Sequence, residues 1–87
     1  MISTLLYINT FQFGYHIDSY MHCRHLKNDF KVTYICFDNG YPKIQEDGVE
    51  VIYVPWNSSY FKNGVRFMRT CINHYKTNKT EYLFAVY

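Results

Sequence analysis

Glycine is scarce in this chain, four in 87 residues, and no two of them lie close together. That excludes the three-glycine dinucleotide fingerprint G-x-G-x-x-G, and no Gly-Lys-Ser/Thr closes a P-loop. Long apolar runs are absent, so no segment reaches the roughly 20 residues that span a bilayer as a helix. Charge of one sign is equally thin. Nine Lys and Arg against seven Asp and Glu give a net charge of +2, no basic stripe forms, and no nucleic-acid partner is expected. The opening stretch from Met1 to Ile8 lacks the basic region and cleavage site of a signal peptide, so cytoplasm is the expected compartment. The cysteines, Cys23, Cys36 and Cys71, are odd in number and widely spaced inside expected helices or strands. They read as small buried hydrophobes and not as a disulfide framework. Asn57-Ser58-Ser59 and Asn78-Lys79-Thr80 match the glycosylation sequon, but in a cytosolic chain such matches arise by chance.

What is present is aromatic. Ten tyrosines and seven phenylalanines are many for this length. An AT-rich gene writes such a composition, and so does a dedicated aromatic binding surface. The apolar content suits one packed domain or less.

Thr4 to Ile8 is a continuous apolar run, as in a strand buried on both faces of a parallel sheet. A loop from Asn9 to Tyr15 follows, then a helical pattern from His16 to Asp29. Its apolar face is expected to carry Ile17, Tyr20, Cys23, Leu26 and Phe30. Lys31 to Phe37 is β-branched and aromatic, a second strand. Turn chemistry at Asp38-Asn39-Gly40-Tyr41-Pro42 leads to a third strand, Val49 to Val54, closed by Pro55. Lys62 to Lys76 is a second helix with Val65, Met68, Ile72 and Tyr75 on its expected core face. Glu81 to Tyr87 reads as a last buried strand. The expected fold is α/β, a Rossmann-like three-layer unit. Its four-stranded, mostly parallel sheet runs in the order 3-2-1-4, with one helix on each face. Two helices do not cover both faces of four such strands, which leads us to expect an incomplete domain or a self-associating one.

In open α/β sheets ligands bind outside the carboxyl ends of the strands. The loop after the first strand, with Asn9, Thr10, Phe11, Gly14 and His16, is therefore the candidate cleft loop. Gly14 either gives backbone access to a ligand or makes the turn, and His16 stands at a helix start facing the crevice. Asp38, at the tip of the second strand, occupies the place of a ribose-binding acid, although Asp-Asn-Gly is also ordinary turn chemistry. Trp56 offers a stacking face for a sugar or anchors its loop. His22 and His25 share a helix without a third converging ligand, so no metal site is expected, and the histidines read as exposed or capping groups. No catalytic constellation is present: no carboxylate pair of interpretable spacing and no nucleophile elbow.

Taken in order, these segments resemble the opening of a GT-B, family 4-type (group 1-like) glycosyltransferase. Tyr7-Ile8-Asn9-Thr10-Phe11 before a glycine-containing loop is similar to that family's start. The run from Leu26 to Ile35 resembles its helix-to-strand junction, and Asp47-Gly48-Val49-Glu50-Val51 ending at Val54-Pro55 resembles its third strand. Glu81 to Val86 stands where the family writes "DVIHAH". The family's paired glycines are reduced here to Gly14, Phe30 replaces its usual Gly-His, and Ala85 and Tyr87 stand where it often has histidine.

The resemblance implies that residues 1–87 form the first half of an N-terminal, acceptor-side domain. The parent would move a sugar from a nucleotide-sugar donor, its co-substrate, to a sugar or lipid-linked acceptor in glycan or polysaccharide synthesis. It would need no other cofactor and would work in the cytoplasm, with peripheral contact at the inner membrane face. The chain alone, lacking the family's catalytic and donor-gripping residues, is expected to be inactive and to partner the rest of that longer chain. Two alternatives remain open at this point, a nucleotide- or flavin-binding α/β domain using Asp38 and a non-catalytic interaction module.

Overall fold

Strands form where β-branched and aromatic residues run together, and helices where turn residues cap an amphipathic stretch. The computed structural model describes residues 3–56, 59–78 and 80–85. Its elements run β1 (Ser3–Ile8), α1 (Ile17–Leu26), β2 (Phe30–Asp38), β3 (Val49–Pro55), α2 (Tyr60–Thr77) and β4 (Tyr82–Ala85). The four strands make one parallel sheet in the order β3-β2-β1-β4. Fold class, strand order and helix count are thus those expected from the sequence.

Successive side chains along a strand point to opposite faces, and each face gathers its own core. Leu5, Tyr7, Val32, Tyr34 and Cys36 meet Phe13 and Cys23 on the α1 side. Leu6, Ile35, Phe37 and Val54 meet Phe67 and Cys71 on the α2 side. Burial pushes the thiols up, Cys23 to about 12 and Cys36 and Cys71 to about 11, so all three stay protonated and unpaired at neutral pH. No helix among the described residues is long and apolar enough to cross a membrane.

Four local expectations are corrected. The first helix ends at Leu26, and its tail continues as hydrogen-bonded turns through Asp29. Phe30, expected on that helix, therefore opens β2, and Ile17 is exposed. On α2 the residues facing the sheet are Asn63, Phe67 and Cys71, whereas Val65, Met68, Ile72 and Tyr75 are exposed. The sheet selects one of two apolar-bearing faces of this helix, and the more apolar one is left outside. Lastly β4 is an edge strand whose four residues are all exposed, not a buried one. Val86 and Tyr87, read as part of that strand, lie outside the described residues, as does Lys79 of the second sequon; Asn57 and Ser58 of the first do too.

Candidate functional site

At the carboxyl ends of β1, β2 and β3 the chain leaves an open pocket of about 350 Å3. Thr10, Phe11, Phe37, Asn39, Trp56, Asn63 and Gly64 line it. Each element contributes for a local reason. Backbone pairing continues past β1, since Asn9 N–H donates to Ile35 O (3.1 Å) and Phe37 N–H donates to Thr10 O (3.4 Å), which holds Thr10 and Phe11 at the rim. Trp56 follows the end of β3 and stands edge-on to Phe37, ring centroids 5.0 Å apart at 88°, a favoured aromatic geometry. Phe37 in turn packs on Phe67 at 4.5 Å. Phe11 is 48% and Trp56 47% exposed, so each keeps roughly half of its surface available.

The first turn of α2 forms the third wall. Ser59 caps it, its Oγ accepting from Lys62 N–H (3.4 Å), while Asn63 N–H donates to Ser59 O (3.0 Å). Asn63 is buried, and Gly64 sits one residue on, inside the helix. A glycine there costs about 1 kcal/mol against alanine. Among the described residues nothing lies within 4 Å of where a Cβ at Gly64 would stand. The space it leaves belongs to the pocket.

Behind the rim a polar cluster fixes the loop. Asn9 is fully buried; its Nδ2 donates to Ser19 Oγ (2.7 Å), and its Oδ1 accepts from Phe11 N–H (2.9 Å). The Tyr7 hydroxyl donates to the same Ser19 Oγ (3.4 Å) and lies 3.2 Å from His22 Nδ1. His16 caps α1, its Nδ1 accepting from Ser19 N–H (3.3 Å) and standing 2.9 Å from Ser19 Oγ, and its ring stacks on Phe11 at 5.2 Å. Burial raises the phenols of Tyr7 and Tyr34 above their ordinary value, keeping both neutral. The Tyr34 hydroxyl donates to Phe11 O (3.1 Å). Gln12, fully buried, reaches the other way: its Oε1 accepts from Asn39 and Tyr41 N–H and its Nε2 donates to Tyr41 O. Together these bonds tie the loop after β1 to α1 through Asn9 and Ser19, to β2 through Tyr34, and to the turn after β2 through Gln12.

The residues expected at the site therefore divide. Thr10, Phe11 and Trp56 are brought together in the pocket wall, with His16 supporting Phe11 from behind and Asn9 beneath the loop. Gly14 and Asp38 lie elsewhere. Gly14 has φ +95°, and a Cβ on it would fall 2.5 Å from Ile44 Cδ1, so it makes the turn and lets Ile44 pack. Asp38 Oδ1 accepts from Gly40 N–H (2.9 Å), and Oδ2 faces Lys43 Nζ at 3.9 Å, which is turn chemistry. His22 is half-buried against Tyr7 and Phe84, not exposed as expected. Sequence reasoning missed Phe37, Asn39, Asn63 and Gly64; only Gly64, a glycine in a helical run, carried a readable signal.

None of the seven lining residues carries a group that titrates near neutral pH. Among the described residues the lining can stack a flat or ring-shaped ligand and offer the Asn39 amide and the Thr10 hydroxyl, and it carries no carboxylate, imidazole, amine or thiol. Among the described residues no group of three or more His, Cys, Asp or Glu converges on a metal position. No family model, no curated protein and no solved structure matches this chain.

Proposed function

We propose that this chain is the acceptor-side part of a glycosyltransferase and that the pocket beside Phe11 and Trp56 cradles one sugar ring. The observation that carries the reading is the pairing of half-exposed aromatic rings with the exposed Asn39 at the carboxyl edge of a parallel sheet. Sugars present apolar C–H faces and a rim of hydroxyls, and this wall is complementary to both. The volume, about 350 Å3, lies at the small end of ligand pockets and suits a single ring better than a dinucleotide. The motif order from Tyr7 to Val86 is the further support for a glycosyltransferase. On this reading catalysis and donor binding belong to other parts of the parent.

Saturation-transfer NMR with methyl α-D-glucoside, NAD and FMN tests this reading. The glucoside should receive saturation from the chain and lose it on Trp56→Ala, and the chain alone should transfer no glucose from UDP-glucose. Tight NAD or FMN binding that disappears on Asp38→Ala, with no glucoside contact, would replace this proposal by the nucleotide-binding one.

A further inference from the structure

The outer side of α2 carries an apolar row that the fold does not use. Phe61, Val65, Met68, Ile72 and Tyr75 follow one another at spacings of four, three, four and three. Phe61 is 82% and Met68 65% exposed. At 3.6 residues per turn this row lies about a third of a turn from the buried line of Asn63, Phe67 and Cys71. It continues onto the sheet. Between α2 and β4 runs a groove of about 210 Å3 walled by Leu6, Ile8, Ile72, Tyr75 and Leu83, the last 56% exposed.

Three features describe what fits there. The 4-3-4-3 spacing is the seam by which one helix packs along another with knobs in holes. The surface is a trough between a helix and a strand, a seat for a rod and not for a plane. The charge is one-sided: α2 bears Lys62, Arg66, Arg69 and Lys76, all exposed, and no Asp or Glu between Tyr60 and Thr77. Lys62, Arg69 and Lys76 each stand one residue after a row position, so they form a basic rail along one side of the seam. A second copy of α2 laid antiparallel would set this rail against its own like charges, and like charges at such positions repel.

We infer that the α2–β4 groove is a docking site for an amphipathic helix of a partner protein, apolar along a heptad seam and acidic on the flank that meets Lys62, Arg69 and Lys76. The recognition is helix-in-groove, with the apolar row supplying affinity and the rail supplying register and partner choice. It is distinct from the sugar pocket, with which the groove shares no lining residue.

The probe is a labelled three-heptad helical peptide with Leu and Ile on its seam and Glu on its flanks, followed by fluorescence anisotropy beside a Lys-flanked twin. The Glu peptide should bind at least about tenfold tighter than the Lys peptide, a difference of about 1.4 kcal/mol. Met68→Asp with Ile72→Asp, both exposed positions, should abolish binding while Tm holds. Arg69→Glu with Lys76→Glu should invert the preference between the two peptides. Equal binding of both peptides would overturn the inference. So would binding of the chain to phosphatidylglycerol vesicles but to neither peptide, which assigns the row to a membrane surface. A concentration-dependent dimer that Met68→Asp dissolves would overturn it too, by assigning the row to a second copy.

Discussion

The two faces of the sheet are built from alternate residues of the same strands and end with opposite chemistry. On the α1 side the core is aromatic with polar tips. Tyr7 stacks on Tyr34 at 5.4 Å and on Phe84 at 4.9 Å, and Phe13 meets Tyr34 edge-on at 5.1 Å. Its hydroxyls reach out of the core to Ser19 and to Phe11 O. On the α2 side the buried strand residues are mostly aliphatic, Leu6, Ile35 and Val54, closed by Phe37, Phe67 and Cys71 without such polar tips. Yet the candidate pocket opens on the α2 side, between Phe37, Asn63 and Gly64, while the loop that rims it is anchored on the α1 side. One face holds the loop and the other carries the candidate pocket. The division follows from side-chain length, since a phenol is long enough to cross the core and end on a loop backbone, which no aliphatic side chain can do.

The largest expected effect separates the two faces directly. Tyr34→Ala and Ile35→Ala are neighbours in sequence, both essentially fully buried and pointing oppositely. Tyr34→Ala should cost about 3–5 kcal/mol and Ile35→Ala about 2–5 kcal/mol in urea unfolding. Only Tyr34→Ala should also speed hydrogen exchange at Phe11 and Gln12, because it alone removes the bond to Phe11 O. Equal loop protection in the two variants would break the comparison. Asn9→Ala is next: it leaves Phe11 N–H without its acceptor and should cost about 1–3 kcal/mol, read as a lower urea midpoint.

Gly64→Ala sharpens the contrast from the other face. The position is helical and uncrowded, so alanine should stabilise the fold by roughly 0.5–1 kcal/mol while its methyl group weakens glucoside binding. A gain in stability with unchanged binding would detach Gly64 from the pocket. The smallest effect belongs to the outer rim of the α1 side. There Glu46 accepts from Lys27 Nζ and from the Tyr20 hydroxyl (3.0 Å) and faces Arg24 at 3.6 Å. The Lys27 bond first, then the Tyr20 bond, hold its carboxyl below the ordinary carboxylate value. A lowered folded-state value means the stabilisation is present above the ordinary range and fades as pH falls through it. The drop in Tm between pH 7 and pH 3 should therefore be smaller for Glu46→Gln than for the parent chain.

Much of this was legible in the sequence. The runs at Thr4–Ile8, Lys31–Phe37 and Val49–Val54 are unbroken and bounded by turn residues, which yields parallel strands and hence the carboxyl-edge position of Thr10, Phe11 and Trp56. The orientation of α2 was not legible. Its row at Val65, Met68, Ile72 and Tyr75 outscores Asn63, Phe67 and Cys71 in hydrophobicity, and only the packed sheet decides between them. Asn39 and Asn63 were hidden for another reason. They lie 24 residues apart, in a turn and a helix, and acquire meaning only when the fold sets them across one pocket. The hub at Ser19 was equally silent, since its partners Tyr7, Asn9 and His16 come from three separate local patterns.

The central claim, that the pocket of Phe11, Trp56, Asn39 and Asn63 is a sugar site, is tested most directly by amide chemical-shift mapping with methyl α-D-glucoside. The account predicts saturable shifts at the Trp56 indole, at Phe11, Asn39 and Gly64, and none along the outer row of α2. Shifts confined to the Gly14 and Asp38 turns, or no saturable shift at all, would contradict it.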